Sequence, residues 1–219
     1  MQASNRLKST FAQGKQTFGA WQMLPGANIS RLLARSGVDW VLIDCEHGNI
    51  DDGAMHDSVP AVAALGVSPL VRVADMQGWM VKRALDSGAH GLYQANDALV
   101  TIIQIETHEA LESVEEIVAV DGIDALFIGP FDLGNNLGYP IQKGIIGPVL
   151  KEALARILAA TRRAGKKCGI YCKDAQKTRE FAAQGYDMLV AATDYMALQA
   201  AVNGEVSLAK GEQAGKGTW

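Results

Sequence analysis

The run GVDWVLIDCEHGN, residues 37 to 49, decides the fold. A glycine suited to ending a helix is followed by an apolar run too short to be a helix itself, and that run closes on Asp44, Glu46 and His47. This is the form of a strand buried on both faces of a parallel sheet, with polar chemistry gathered at its C-terminal end.

The same form recurs along the 219 residues. Further apolar runs stand at TFGAWQML (17 to 24), SPLVRV (68 to 73), GAHGLY (88 to 93), TIIQIET (101 to 107), ALFIGPFDL (125 to 133), KKCGIYC (166 to 172) and DMLVAATD (187 to 194), most of them separated by segments of helical period. Gly37, Gly66, Gly88, Gly122, Gly165 and Gly185 fall at or just before the next strand, as helix stops. Eight strands alternating with helices imply an α/β fold, a closed TIM (β/α)8 barrel, in one domain over 1–219. The tail from Tyr195 reads as a last helix followed by a Gly-rich end.

One connection departs from that pattern. Between Tyr93 and Thr101 stand seven residues, QANDALV, whereas a parallel crossover needs about a dozen or more. Either the fourth crossover helix is lost or a mobile segment near Tyr93 and Gln94 is absent from this sequence, and the second explanation is preferred.

The composition, 48% hydrophobic and 20% charged with a net charge of -4, provides one sizeable core and no basic footprint for nucleic acid. No apolar run is long enough to cross a membrane, and no secretory leader is apparent. A soluble cytoplasmic protein with a small-molecule partner is expected. Cys45, Cys168 and Cys172 lack metal or redox spacing and read as reduced packing residues.

Polar residues that end apolar strands are the candidates for chemistry: Asp44, Glu46 and His47, then Arg72, then Gln104 and Glu106, then Asp132. Alternation places Asp44 with Glu46 on one strand face and Gln104 with Glu106 on another. Gathered carboxylates repel one another unless a cation or donors compensate them. Oxygen-only ligation by Glu106 and Asp132 favours Mg or Mn, with Co as a third candidate. Arg72 suits a carboxylate, keto oxygen or enolate, and His47 suits proton transfer at neutral pH.

The strings LIDCEHGN, LVRV, IIQIETHEAL and FIGPFDLGNNLGYP resemble the HpcH/HpaI aldolase and citrate lyase family, and the resemblance runs from GAW at 19 to 21 through DMLVAATD. It implies a TIM barrel assembled as a hexamer, a trimer of dimers, that carries out reversible class II aldol cleavage of 4-hydroxy-2-oxo acids to pyruvate and an aldehyde. Glu106 and Asp132 would be the metal ligands. Arg72 would hold the keto or enolate oxygen, His47 would be the base, working through a metal-bound water, and Asp86 its partner, with Asp44 and Glu46 as supports. Backbone around Gly129, Pro130 and Phe131 would seat the substrate carboxylate, although Pro130 has no N-H to donate. Gln104 and Trp21 would line the pocket. The wording of the C-terminal half is similar to a branch near macrophomate synthase, which makes oxaloacetate decarboxylation the alternative reaction. A scaffold that has lost catalysis is a further alternative.

Blander readings compete at each position. Arg72 could be a rim residue, and Glu106 or Asp132 could be a helix cap. His56, His90 and His108 fall in helices or early in a strand. A Schiff-base mechanism needs a buried lysine at a strand's C-terminal end. Lys166 and Lys167 stand at the wrong end, and Lys173 stands at the right end but is followed by DAQKTRE, which reads as the solvated start of a helix.

Overall fold

A computed structural model describes residues 5–89 and 99–211. Seven of the expected strands are present: β1 (Thr17–Gln22), β2 (Trp40–Asp44), β3 (Ser68–Arg72), β4 (Ile102–Ile105), β5 (Ala125–Ile128), β6 (Lys167–Ile170) and β7 (Met188–Thr193). Their order is β3-β2-β1-β7-β6-β5-β4, and the described ladders are all parallel. The eighth run, expected at 88 to 93, lies outside the described residues from His90 onward, as does most of the short connection after it. The parallel α/β sheet is therefore the part of the barrel expectation that the described residues carry; a closed eight-stranded barrel is not shown.

The helices are α1 (Arg6–Ala12), α2 (Ala27–Ala34), α3 (Asp52–Ala63), α4 (Gly78–Asp86), α5 (His108–Glu112), α6 (Val114–Ala119), α7 (Pro130–Asn136), α8 (Pro148–Arg163), α9 (Ala175–Gln184) and α10 (Asp194–Ala209). Local chemistry sets their ends. Asp51, Thr107 and Asp174 cap α3, α5 and α9 by accepting from the amides of Ala54, Ala110 and Lys177. The six helix-stop glycines all have φ between 69° and 92°, the left-handed region in which a Cβ is costly.

Contacts divide the chain into two compact units, one built on β1 to β3 with the C-terminal segment, the other on β4 to β7 with the N-terminal segment. In the first, every residue of β2 is buried, as a parallel strand covered on both faces should be. Its core gathers Val41, Val62 and Val67 in one cluster and Ile43, Met55 and Val59 in another. The buried Asp194, at the start of α10, accepts from the amides of Met23 and Leu24 at 2.9 and 2.8 Å. In the second unit α8 presents Leu150, Leu154, Ile157 and Leu158 at helical spacing to a core with Leu126, Ile128, Ile170 and Leu189. Each fully buried side chain of this size contributes about 1.5 to 3 kcal/mol.

One boundary corrects the sequence reading. The run ALFIGPFDL does not end as a strand at Asp132, because β5 stops at Ile128 and Pro130 opens α7. Proline has no N-H for a ladder but fits a helix's first turn, where that donor is not used.

Candidate functional site

The first unit gathers five of the candidate residues. Register pairs Asp44, the last residue of β2, with Arg72, the last residue of β3. Arg72 Nε donates to Asp44 Oδ1 at 2.9 Å and Nη2 donates to Asp44 Oδ2. The remaining guanidinium nitrogen, Nη1, lies 3.1 Å from Glu46 Oε2. Trp21 Nε1 donates to Asp44 Oδ2 at 2.9 Å, and the guanidinium carbon stands 5.0 Å from a Trp21 ring centre. The amides of Glu46 and His47 both donate to Asp44 Oδ1 at 3.0 Å, folding the turn after β2 around that carboxylate.

Asp44 is fully buried. Burial alone would raise its pKa. Hydrogen bonds from Arg72 and Trp21, the Arg72 charge and the His47 amide outweigh it and bring the pKa below the ordinary 3.8. Arg72 Nη2 also stands 2.9 Å from His47 Nδ1. A guanidinium can only donate, so Nδ1 accepts and the imidazole proton resides on Nε2. Nε2 lies 3.6 Å from Glu46 Oε1. Asp86 is not part of this group: it is the exposed last residue of α4.

The second unit gathers the other carboxylates. Gln104 Nε2 donates to Glu106 Oε2 at 2.6 Å. A methyl placed on Gly129 would lie 2.8 Å from that Oε2, 3.2 Å from Gln104 Nε2 and 3.5 Å from Asp132 Oδ2. The absence of a side chain at 129 thus lets both carboxylates approach one point. The cap reading fails for Glu106, since Thr107 caps α5. Asp132 is in the first turn of α7, where the helix dipole favours a negative charge.

The donor set fits a hard divalent cation that takes two carboxylate oxygens and fills its other positions from water and substrate. Among the described residues no group of three or more His, Cys, Asp or Glu gathers to hold a metal. A cleft walled by Phe131, Ile146, Tyr171, Phe181 and Lys173, with Phe131 edge-on to Tyr171 at 6.1 Å, includes none of Gln104, Glu106, Gly129 and Asp132 in its lining. Lys173 was not foreseen there. Asp174 caps α9, so Lys173 precedes the helix and belongs to the loop after β6; the Asp-x-x-Lys amide pattern was the available signal. The three cysteines are free, with their pKa values pushed by burial to about 11 for Cys45 and about 12 for Cys168 and Cys172. Among the described residues no helix is long and apolar enough to cross a membrane.

A parallel α/β sheet with carboxylates and an arginine just past its strand ends defines a class of enzymes whose chemistry sits at the C-terminal strand ends. The chain belongs to the HpcH/HpaI aldolase/citrate lyase family, whose model matches residues 88–201. The hydroxypyruvate/pyruvate aldolase of Paraburkholderia phytofirmans is 30% identical, with 88% of this chain and 93% of that protein covered. That alignment runs over 243 positions, more than this chain has residues, so the relative carries residues with no counterpart here. A family protein of Burkholderia cenocepacia superposes with a TM-score of 0.88 at 28% identity over 94% of this chain and 99% of that one. Macrophomate synthase shares the fold, with a TM-score of 0.84 at 22% identity over 95% and 89%.

Proposed function

We propose that this protein is a divalent-metal-dependent class II aldolase that cleaves and forms 4-hydroxy-2-oxo acids through the enolate of pyruvate. The observation that carries the reading is the approach of Glu106 and Asp132 to one point over Gly129. Held by these two residues, Mg or Mn would supply Lewis-acid polarisation of a 2-oxo acid.

The chain's own residues do the rest, in the roles that the family resemblance assigns. Arg72, fixed by Asp44 and Glu46, donates to the keto oxygen and to the negative charge that develops there. His47 takes the proton of the C4 hydroxyl. The C3–C4 bond then breaks, the aldehyde leaves, and a proton delivered to C3 of the enolate yields pyruvate. The amides at the start of α7, past the N-H-less Pro130, receive the substrate carboxylate. Trp21 stacks on Arg72 and lines its approach.

Pyruvate release from a panel of 4-hydroxy-2-oxo acids and oxaloacetate, with and without Mg or Mn, tests the reading. Undiminished turnover after EDTA treatment would sink the metal requirement, and release from oxaloacetate alone would favour the decarboxylase. Assembly as a homo-oligomer belongs to the same proposal and is checked by light scattering.

A further inference from the structure

The hydrogen bond between Arg72 and His47 raises a conflict that the proposed chemistry must resolve. The nitrogen of His47 with a lone pair to give is Nδ1, and that lone pair is taken by Arg72 Nη2 at 2.9 Å. The other nitrogen already carries the proton. Facing the imidazole are the Arg72 guanidinium from β3 and the Glu46 and Asp44 carboxylates from the end of β2; the Asp44 carboxylate binds the His47 amide rather than the ring. As folded, His47 cannot accept a proton at Nδ1 until Nη2 lets go.

The partners of Nη2 differ in how easily they yield. Its bond to Asp44 belongs to a two-pronged pair with a fully buried carboxylate, and bonds of that kind are strong and geometrically fixed. Its bond to His47 is to a ring that is 50% exposed. A keto oxygen arriving at Arg72 therefore displaces the imidazole first.

Resting on the proposed aldolase reading, we infer that Arg72 gates His47: the arginine occupies the Nδ1 lone pair in the free enzyme and frees it only when a 2-oxo acid takes its place at Nη2. The hydroxyl proton then passes to Nδ1 and the ring becomes an imidazolium with N-H on both sides. Its new charge is balanced by Glu46, whose Oε1 stands 3.6 Å from Nε2. When the proton leaves Nδ1 for product, Nη2 returns. Glu46 is thus a positioning residue acting through both partners, and the base is available only in the complex.

The test is nitrogen-15 NMR of the whole protein labelled at histidine, with the His47 signal assigned among the four histidines by His47→Gln. The free protein is expected to show the Nε2-H tautomer. Adding Mg with oxalate, an unreactive pair of oxygens standing in for a 2-oxo acid, should move the His47 Nδ1 resonance to that of an unbonded lone pair as Nη2 turns away. In Arg72→Ala the Nδ1 resonance should stand at that position already and be insensitive to oxalate, and Glu46→Gln should shrink the oxalate-induced change. Should Arg72→Ala fail to fold around the buried Asp44 charge, Asp44→Asn/Arg72→Ala gives the same comparison. An Nδ1-H tautomer in the free protein, or a His47 Nδ1 resonance unmoved by bound oxalate, would overturn the inference. If Mg and oxalate perturb no resonance at all, the aldolase reading fails, and the tautomer together with the Arg72→Ala shift decides the coupling without it.

Discussion

The two units hold the same kind of acidic residue in opposite conditions. Asp44 is enclosed by Arg72, Trp21 and two backbone amides, and its charge is answered within the chain. Asp132 makes no ion pair with a described residue, and it shares with Glu106 a point left open by a glycine. A carboxylate satisfied by its own chain contributes to the fold. Two carboxylates brought to one point repel each other, which costs the fold something and suits a cation. Removing an acid from the first group should therefore cost stability, whereas removing one from the second should cost activity.

The largest expected effect is on turnover. Glu106→Gln or Asp132→Asn should lower metal-dependent pyruvate release about a thousandfold or more, while the metal-free melting temperature holds or rises. Calorimetry with and without Mg checks this, and a melting temperature that falls sharply in the metal-free variant breaks the comparison. Asp44→Asn should do the reverse and lose about 3 to 5 kcal/mol of stability, because Arg72 is left without its partner. Since the folded-state pKa of Asp44 is lowered, its contribution is present above its ordinary value near 3.8 and is lost as pH falls through the lower folded value. Acid unfolding of the variant should lack that step.

Arg72→Ala should leave metal binding intact and remove about 3 kcal/mol or more of transition-state stabilisation, measured as kcat/KM. Gly129→Ala should weaken Mg binding about tenfold, since its methyl would crowd Glu106 Oε2; unchanged affinity in titration would place the cation elsewhere. The smallest effect concerns the thiols. With pKa values near 11 to 12, all three should react slowly with a disulfide reagent at pH 8 in the native protein and fully once it is unfolded.

Much of this contrast was legible before any coordinates, because it depends on short-range patterns. The polar end of the β2 run put Asp44 and Glu46 together, and both do meet Arg72, but β2 stops at Asp44 and it is the following turn, not alternation, that brings Glu46 there. Glycine stops marked the strand starts, since an αL turn is a local requirement. What could not be read is what depends on pairing between strands or on rotamers. The register that sets Asp44 beside Arg72 joins residues 28 apart, and nothing in either run specifies it. The His47 tautomer follows from one side-chain contact. Asp132 was misplaced at a strand end because a run of apolar residues continued past Pro130, although that proline was itself a helix-start signal. Helix α1 has too few distinguishing residues to have been anticipated, whereas DAQKTRE is a helix start as read, and what places Lys173 at a cleft is the fold of the loop before it.

Asp194 gives the first unit a particular order of completion. Its carboxylate receives the amides of Met23 and Leu24, partners about 170 residues earlier in the chain. Synthesis proceeds from the N-terminus at about 5 to 20 residues per second, so the loop after β1 waits roughly ten seconds or more for the residue that fastens it. Throughout that interval β1 to β3 exist as a partial unit, while β4 to β7 emerge and can pack on α8. The half of the chain made first is thus the half finished last.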